Sequence, residues 1–229
     1  MAPDHQLTVD GDRMVLVLDR PRPCVASTIV GGGIGTVRTW LNLEVPLSYD
    51  RVDPVAHLKE RADDLEGPIV ATMTAAAVDR WVEGRQGLAW VVATVGVSVP
   101  LAAAGSWEPH HGPGTINIAA VLDAPLDDAG LVNAVQTLTE AKAQAIADAG
   151  LLATNRDGVA TGTATDSVLV AAAPIRSRPD AIDPSLWDGP SSFAGPATRV
   201  GHDLAMATHT AITAGVARWL ADHPSTGTR

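Results

Sequence analysis

Across 229 residues there is one cysteine, one tyrosine and one phenylalanine, and lysine occurs only at Lys59 and Lys142. The lone Cys24 excludes an intramolecular disulfide and, by itself, a zinc site, so the fold has to stand on its apolar core. Lysine and arginine total 16 against 26 aspartates and glutamates, a formal net charge of -10. No basic cluster exists to neutralise phosphates, which disfavours a nucleic-acid or anionic-membrane surface and makes small molecules the expected partners. No apolar run reaches the roughly 18 residues of a membrane span. The start, "MAPDHQLTVDGDR", has no basic n-region followed by an apolar stretch, so a cytoplasmic setting is expected.

With 46% hydrophobic residues the chain can bury a proper core. A single domain over residues 1–229 is expected, with flexible ends at 1–12 and 222–229. Short apolar runs bounded by Gly, Pro or Asp read as strands: Met14–Leu18, Cys24–Gly31, Trp40–Pro46, Ile69–Thr74, Leu88–Val97, Ile116–Leu122 and Val168–Ala172. Spacing near 3.6 predicts helices over Pro54–Leu65, Asp127–Ala149 and about Val200–Ala221. The pattern is α/β. Several strands are apolar at every position, which predicts a mixed sheet covered by helices in three layers. Pro174–Pro196, rich in Pro, Ser and Asp, reads as a long loop.

Gly31-Gly-Gly-Ile-Gly35 follows an apolar run, but Thr36 stands at the last glycine of G-x-G-x-x-G and another strand pattern comes next. A dinucleotide site needs a helix N-terminus there, so a wide turn between strands, or bare backbone open to a large ligand, is the better reading. His202 and His209 share a helix face but lie roughly 10 Å apart at 1.5 Å per residue, too far to hold one metal ion together. His111 and Gly114 match two positions of the D-x-H-x-x-G signature of one class of cobalamin-binding domains, with Pro109 in place of its Asp. No H-E-x-x-H, G-x-S-x-G or Walker pattern occurs.

On a helix over 127–149, Leu131, Ala134, Val135, Leu138, Ala141, Ala145 and Ile146 form one stripe, and Lys142 falls within it. Either its stem packs on the core while its ammonium reaches water, or it is a fixed positive charge bordering a cleft. Glu140 falls on the opposite face with Gln136, Thr137 and Gln144, where a solvated acid is ordinary. A second polar cluster, Thr161-Gly-Thr-Ala-Thr-Asp166, immediately precedes a strand. It reads as a turn whose Asp166 bonds nearby amides, or as part of a site.

Three blocks, "GTINIAAVL", "TEAKAQAI" and "ATGTATDSVLVAA", occur in the order and at about the spacing of the adenosylcobinamide amidohydrolase family, which this chain resembles. "VASTIVGGG", "WLNLEV", "VATMTAAAV", "ATVGVSVPLAAAG" and "FAGPATRVGHDLA" extend the resemblance from about Cys24 to the last helix. The resemblance implies hydrolysis of the amide joining the aminopropanol arm of adenosylcobinamide to the corrin ring, giving adenosylcobyric acid for cobamide salvage. By matching motif positions, Asn42, Thr74, Asn117, Glu140, Lys142, Thr163, Thr165 and Asp166 line the implied site, with His202 a weaker inclusion. Gly32 and Gly33, in bare backbone, would let the macrocycle lie close. The family's block carries Asn where this chain has Val99, a departure that bears on a contact in that region.

Amide hydrolysis needs a base for water, donors for the tetrahedral oxyanion and an acid for the departing amine. Glu140 or Asp166 is the expected base, with Lys142 and nearby Thr or Asn donors on the oxyanion. Glu140 and Lys142 point about half a turn apart, so both act only if the helix is flanked on two sides or locally irregular. A covalent route through Thr163 or Thr165 is the less favoured alternative. No cofactor or protein-bound metal is expected, the cobalt being the substrate's own. The rival readings are a corrinoid-binding protein without the chemistry, and an amidohydrolase for another amide. Homo-oligomerisation is left open.

Overall fold

The computed structural model describes residues 5–107, 114–174 and 191–224. In chain order the elements are β1 (His5–Asp10), β2 (Arg13–Ala26), β3 (Gly33–Glu44), α1 (Pro54–Arg61), β4 (Ile69–Thr74), a 3-10 turn (Val78–Arg80), β5 (Val82–Gln86), β6 (Ala89–Gly96), β7 (Thr115–Leu122), α2 (Asp128–Asp148), β8 (Ser167–Ala171) and α3 (Arg199–Asp222). The three expected helices and the apolar strands are all present. Asp127 caps α2 by accepting from the Gly130 amide at 2.8 Å, and Thr198 caps α3 by accepting from Gly201 at 3.1 Å. No described helix is long and apolar enough to cross a membrane.

Two strands escape a reading by apolar runs. β1 ("HQLTVD") and β5 ("VEGRQ") are short edge strands with polar residues, stabilised by ladder bonds rather than by a continuous apolar face. β1 corrects the expected flexible end over 1–12: His5–Asp10 pairs antiparallel with β2, across a tight turn where Gly11 takes a φ of 57°. At the other end, Asp222 still belongs to α3. The predicted run Met14–Leu18 and the start of Cys24–Gly31, as far as Ala26, are joined in one strand, β2, while residues 27–31 lie beyond its end. Pro21 and Pro23 offer no amide, and the register slips between Val17 and Arg22 instead of the strand ending. Of the predicted loop Pro174–Pro196, residues 175–190 lie outside the described residues.

The main sheet runs β4-β3-β2-β8-β7-β6-β5, with β1 on β2. β3 and β6 are four positions apart in this order, about 19 Å in a flat sheet at roughly 4.8 Å per strand. Yet Asn42 Nδ2 of β3 donates to Thr94 Oγ1 of β6 at 2.9 Å. The sheet must therefore fold back on itself, and it does so at the β2 irregularity, where that strand changes partners from β1 to β8. One apolar cluster lies between the two halves, with Leu16, Trp40 and Val70 from one and Val92, Val121 and Leu169 from the other. The outer face of the first half, Val15, Leu41 and Ala71, is covered by Leu58 of α1. The outer face of the second, Val91, Ile118 and Val170, is covered by α2 and α3 through Leu131, Leu138, Leu204 and Ala211.

The mixed sheet covered by helices is as expected, but the layers number four rather than three. Continuous apolarity is satisfied for β6, β7 and β8 by helices on one side and by the sheet's own other half on the other. Cys24 lies in this inter-sheet core, and burial pushes its thiol up to about 11. The thiolate is the reactive form. The native protein at pH 8 is therefore expected to leave Ellman's reagent unreacted, and to react once per chain in guanidinium; fast labelling of the native form would contradict the placement.

Candidate active site

Strand alternation concentrates polar side chains at one end of the inter-sheet core. Asn42, Thr72 and Thr94, near the C-terminal ends of β3, β4 and β6, meet Asn117 and Ser167, near the starts of β7 and β8. Asn117 Nδ2 donates to Asn42 Oδ1 and to Met73 O, each at 2.8 Å. Ser167 Oγ donates to Asn117 Oδ1 at 2.8 Å and lies 3.0 Å from Thr72 Oγ1. Buried polar groups are tolerated when each finds a partner, and these do. Above them opens a cavity of about 610 Å³, lined by Thr72, Thr74, Thr115, Thr165, Asp166 and Ser167 among others.

On the other side of β8 lies a second cavity of about 590 Å³, between α2 and the loop 161–166, with Trp107, Lys142, Asn155, Thr161 and Thr163 on its walls. Asp166 lines both cavities. Its carboxylate takes four donors: Lys142 Nζ and the Thr163 hydroxyl at close range, the Ile116 amide at 3.0 Å and the Thr163 amide at 3.1 Å. The Thr163 hydroxyl also lies 2.8 Å from Gly114 O, so its one proton serves one acceptor at a time. Thr165 and Thr115 share a hydrogen bond of 2.7 Å at the lip of the first cavity. Gly162 packs against the joined ammonium and carboxylate, and a Cβ there would overlap both Asp166 Oδ2 and Lys142 Nζ.

Lys142 answers the two readings left by the sequence. It is 7% exposed, sits in the α2 stripe as its spacing requires, and ends on Asp166 rather than in bulk water. The structure thus brings together Lys142, Thr163, Thr165 and Asp166, with Thr74 on the neighbouring wall. Asn42 and Asn117 are 0% exposed and lie behind the cavity floor instead of in it. Glu140 is not brought to the cluster: it is exposed on the outer side of α2, where Gln136 Nε2 donates to it at 3.1 Å. The helix is regular, so the half-turn between Glu140 and Lys142 keeps them apart. Thr137, expected beside Glu140, is buried and donates to Ala194 O at 2.8 Å, because the segment before α3 covers that side of α2.

His202 is exposed at the start of α3, beside Asp203, which accepts from the Leu88 amide at the opposite end of β6 from Thr94. Gly32 sits in an exposed turn between β2 and β3, and Gly33, at a φ of 95°, begins β3; Ser27, Thr28 and Ile29, just before Gly32, are the residues that reach the first cavity. A strand follows the turn, which removes the dinucleotide reading. His110 and His111 lie outside the described residues. Thr72, Thr115 and Ser167 were missed, though counting two positions back from Thr74 and Asn117 along their strands would have found the first two.

The family model described as adenosylcobinamide amidohydrolase matches residues 3–224, and the chain belongs to that family. It is accordingly an enzyme of the amidohydrolase class. A relative from Methanosarcina mazei, named adenosylcobinamide amidohydrolase, is 29% identical over 194 residues, covering 83% of this chain and 88% of the relative. Among solved structures, the PH0078 protein of Pyrococcus horikoshii OT3 overlaps with a TM-score of 0.43 at 11% identity, covering 93% of this chain and 83% of that one; an overlap this loose carries no argument.

Gly162→Ala tests the packing of the cluster directly. The added methyl must part Lys142 from Asp166 or displace the loop, and overpacking of this kind costs about 1–3 kcal/mol. Thermal or urea unfolding should show that loss; an unchanged midpoint would mean the pair does not close over Gly162.

Proposed function

We propose that the chain hydrolyses the amide linking the aminopropanol arm of adenosylcobinamide to the corrin ring, releasing adenosylcobyric acid and aminopropanol. The observation that carries the reading is the Lys142–Asp166–Thr163 cluster on the wall shared by two wide cavities. A broad, amide-rimmed macrocycle suits such a surface. Hydroxyls line its cavities, and Trp107, Leu47 and Ile29 stand 90%, 72% and 55% exposed on the cavity walls, offering apolar contact to the ring. The cobalt in this reading belongs to the substrate.

The chemistry follows from what each group has left to offer. Lys142 carries three N–H donors and spends one on Asp166, so another can meet the oxyanion as the carbonyl becomes tetrahedral. When the Thr163 proton turns to Gly114 O, Asp166 Oδ1 keeps the Ile116 amide but regains one lone pair, which can take a proton from the attacking water. Water oxygen bonds to the carbonyl carbon, its proton passes to Asp166, the C–N bond breaks, and that proton leaves with the amine. Glu140 has no part in this scheme. A second reading has one observation in its favour: four donors on Asp166 are also what a purely structural anchor would show, as in a corrinoid-binding protein without turnover.

Purified protein incubated with adenosylcobinamide should yield free aminopropanol and adenosylcobyric acid by mass spectrometry. Asp166→Asn and Lys142→Met are each expected to lower kcat by about 10²–10⁴, the range for a lost base or oxyanion donor, while Glu140→Gln keeps most of the activity. Binding without aminopropanol release would establish the second reading. Neither binding nor release would remove both.

A further inference from the structure

The hydrogen bonds beneath the first cavity have a direction, and that direction dictates what the floor can bind. Met73 O can only accept, so the Asn117 amide must turn its Nδ2 toward it, and the same group donates to Asn42 Oδ1. Asn117 Oδ1 is thereby left to accept from Ser167 Oγ. A hydroxyl has one proton, and that of Ser167 is committed. Across the 3.0 Å to Ser167, it is therefore Thr72 Oγ1 that donates. Both hydroxyls at the floor have spent their protons inward and keep only lone pairs. Thr72 and Ser167 are each 6% exposed and line the cavity, whereas the two asparagines that set the order are out of a ligand's reach.

We propose that Thr72 is a binding residue that accepts a hydrogen bond from an N–H or O–H donor of the ligand, and that Ser167, Asn117 and Asn42 are positioning residues that fix its polarity. A group that can only accept, such as a carboxylate or an ether, is disfavoured at this spot, because two acceptors would face each other across it. The ligand's identity rests on the corrinoid reading. Adenosylcobinamide offers the hydroxyl of the aminopropanol arm and, elsewhere on the molecule, the N–H groups of its amides and the amine and hydroxyls of its adenosyl ligand.

The test compares dissociation constants for adenosylcobinamide and for its analogue with a plain N-propyl arm, in the wild type and in Thr72→Val, Thr72→Ser and Ser167→Ala. Thr72→Ser should bind as the wild type does. Thr72→Val should weaken adenosylcobinamide about tenfold, the worth of one hydrogen bond. Where the ligand's donor is an N–H, Ser167→Ala should do the same although Thr72 is intact, because the Thr72 proton loses its acceptor and turns into the cavity, a response that a purely structural Thr72 would not give; a ligand hydroxyl would reverse its bond and hold its affinity. Weakening confined to the hydroxylated ligand identifies the arm hydroxyl, and equal weakening of both ligands places the donor elsewhere on the corrinoid. Wild-type affinity for both ligands in folded Thr72→Val overturns the proposal, and circular dichroism tells which variants are folded. If the wild type binds neither ligand, the corrinoid reading fails first and this one with it.

Discussion

Asp166 is the group on which the site depends. Its carboxylate ties α2, through Lys142, to the start of β7, through the Ile116 amide, and to its own loop, through both donors of Thr163. Ion pairs of low exposure gain little over apolar packing, but leaving one partner alone is costly, so each charge enforces the presence of the other. Because the acid lines both cavities, the pair that holds the helix to the sheet is also where the two cavities meet.

That contact works only because the sheet folds over. Were the sheet flat, Asn42 and Thr94 would stand four strands apart and the first cavity would have no roof; with the bend at β2, polar residues from β3, β4, β6, β7 and β8 gather at one end of a shared core. The apolar remainder of that core, Trp40 and Val92 among it, gives the fold its stability, and the polar end supplies the site's floor. Hydrogen bonds in such low-dielectric surroundings are strong when complete, which keeps the floor in one arrangement.

How much of this could be read from the sequence depends on whether a feature is local. The α2 stripe put Lys142 inward, and the hydroxyl-rich run ending at Asp166 was visible as a cluster, because both follow from residues close in the chain. That Lys142 and Asp166 meet was not legible, since their pairing depends on how α2 crosses behind β8. Asn42 and Asn117 were found through the family blocks, yet their burial behind Thr72 and Ser167 follows only from the folded sheet. The same bend explains the layer count: fully apolar strands ask for cover on both faces, and periodicity does not say whether a helix or another part of the sheet provides it. β1 and β5, polar strands on or near the sheet edges, carry no apolar run to be seen. Glu140 was drawn in by its place in a motif beside Lys142, although the helical repeat already turned it away.

The central claim, that this site cleaves an amide with water, is tested most directly by incubating the wild-type protein and adenosylcobinamide in water enriched in heavy oxygen. The account predicts adenosylcobyric acid bearing one heavy oxygen in its new carboxylate and aminopropanol bearing none. Unchanged adenosylcobinamide recovered from a protein that binds it would contradict the account.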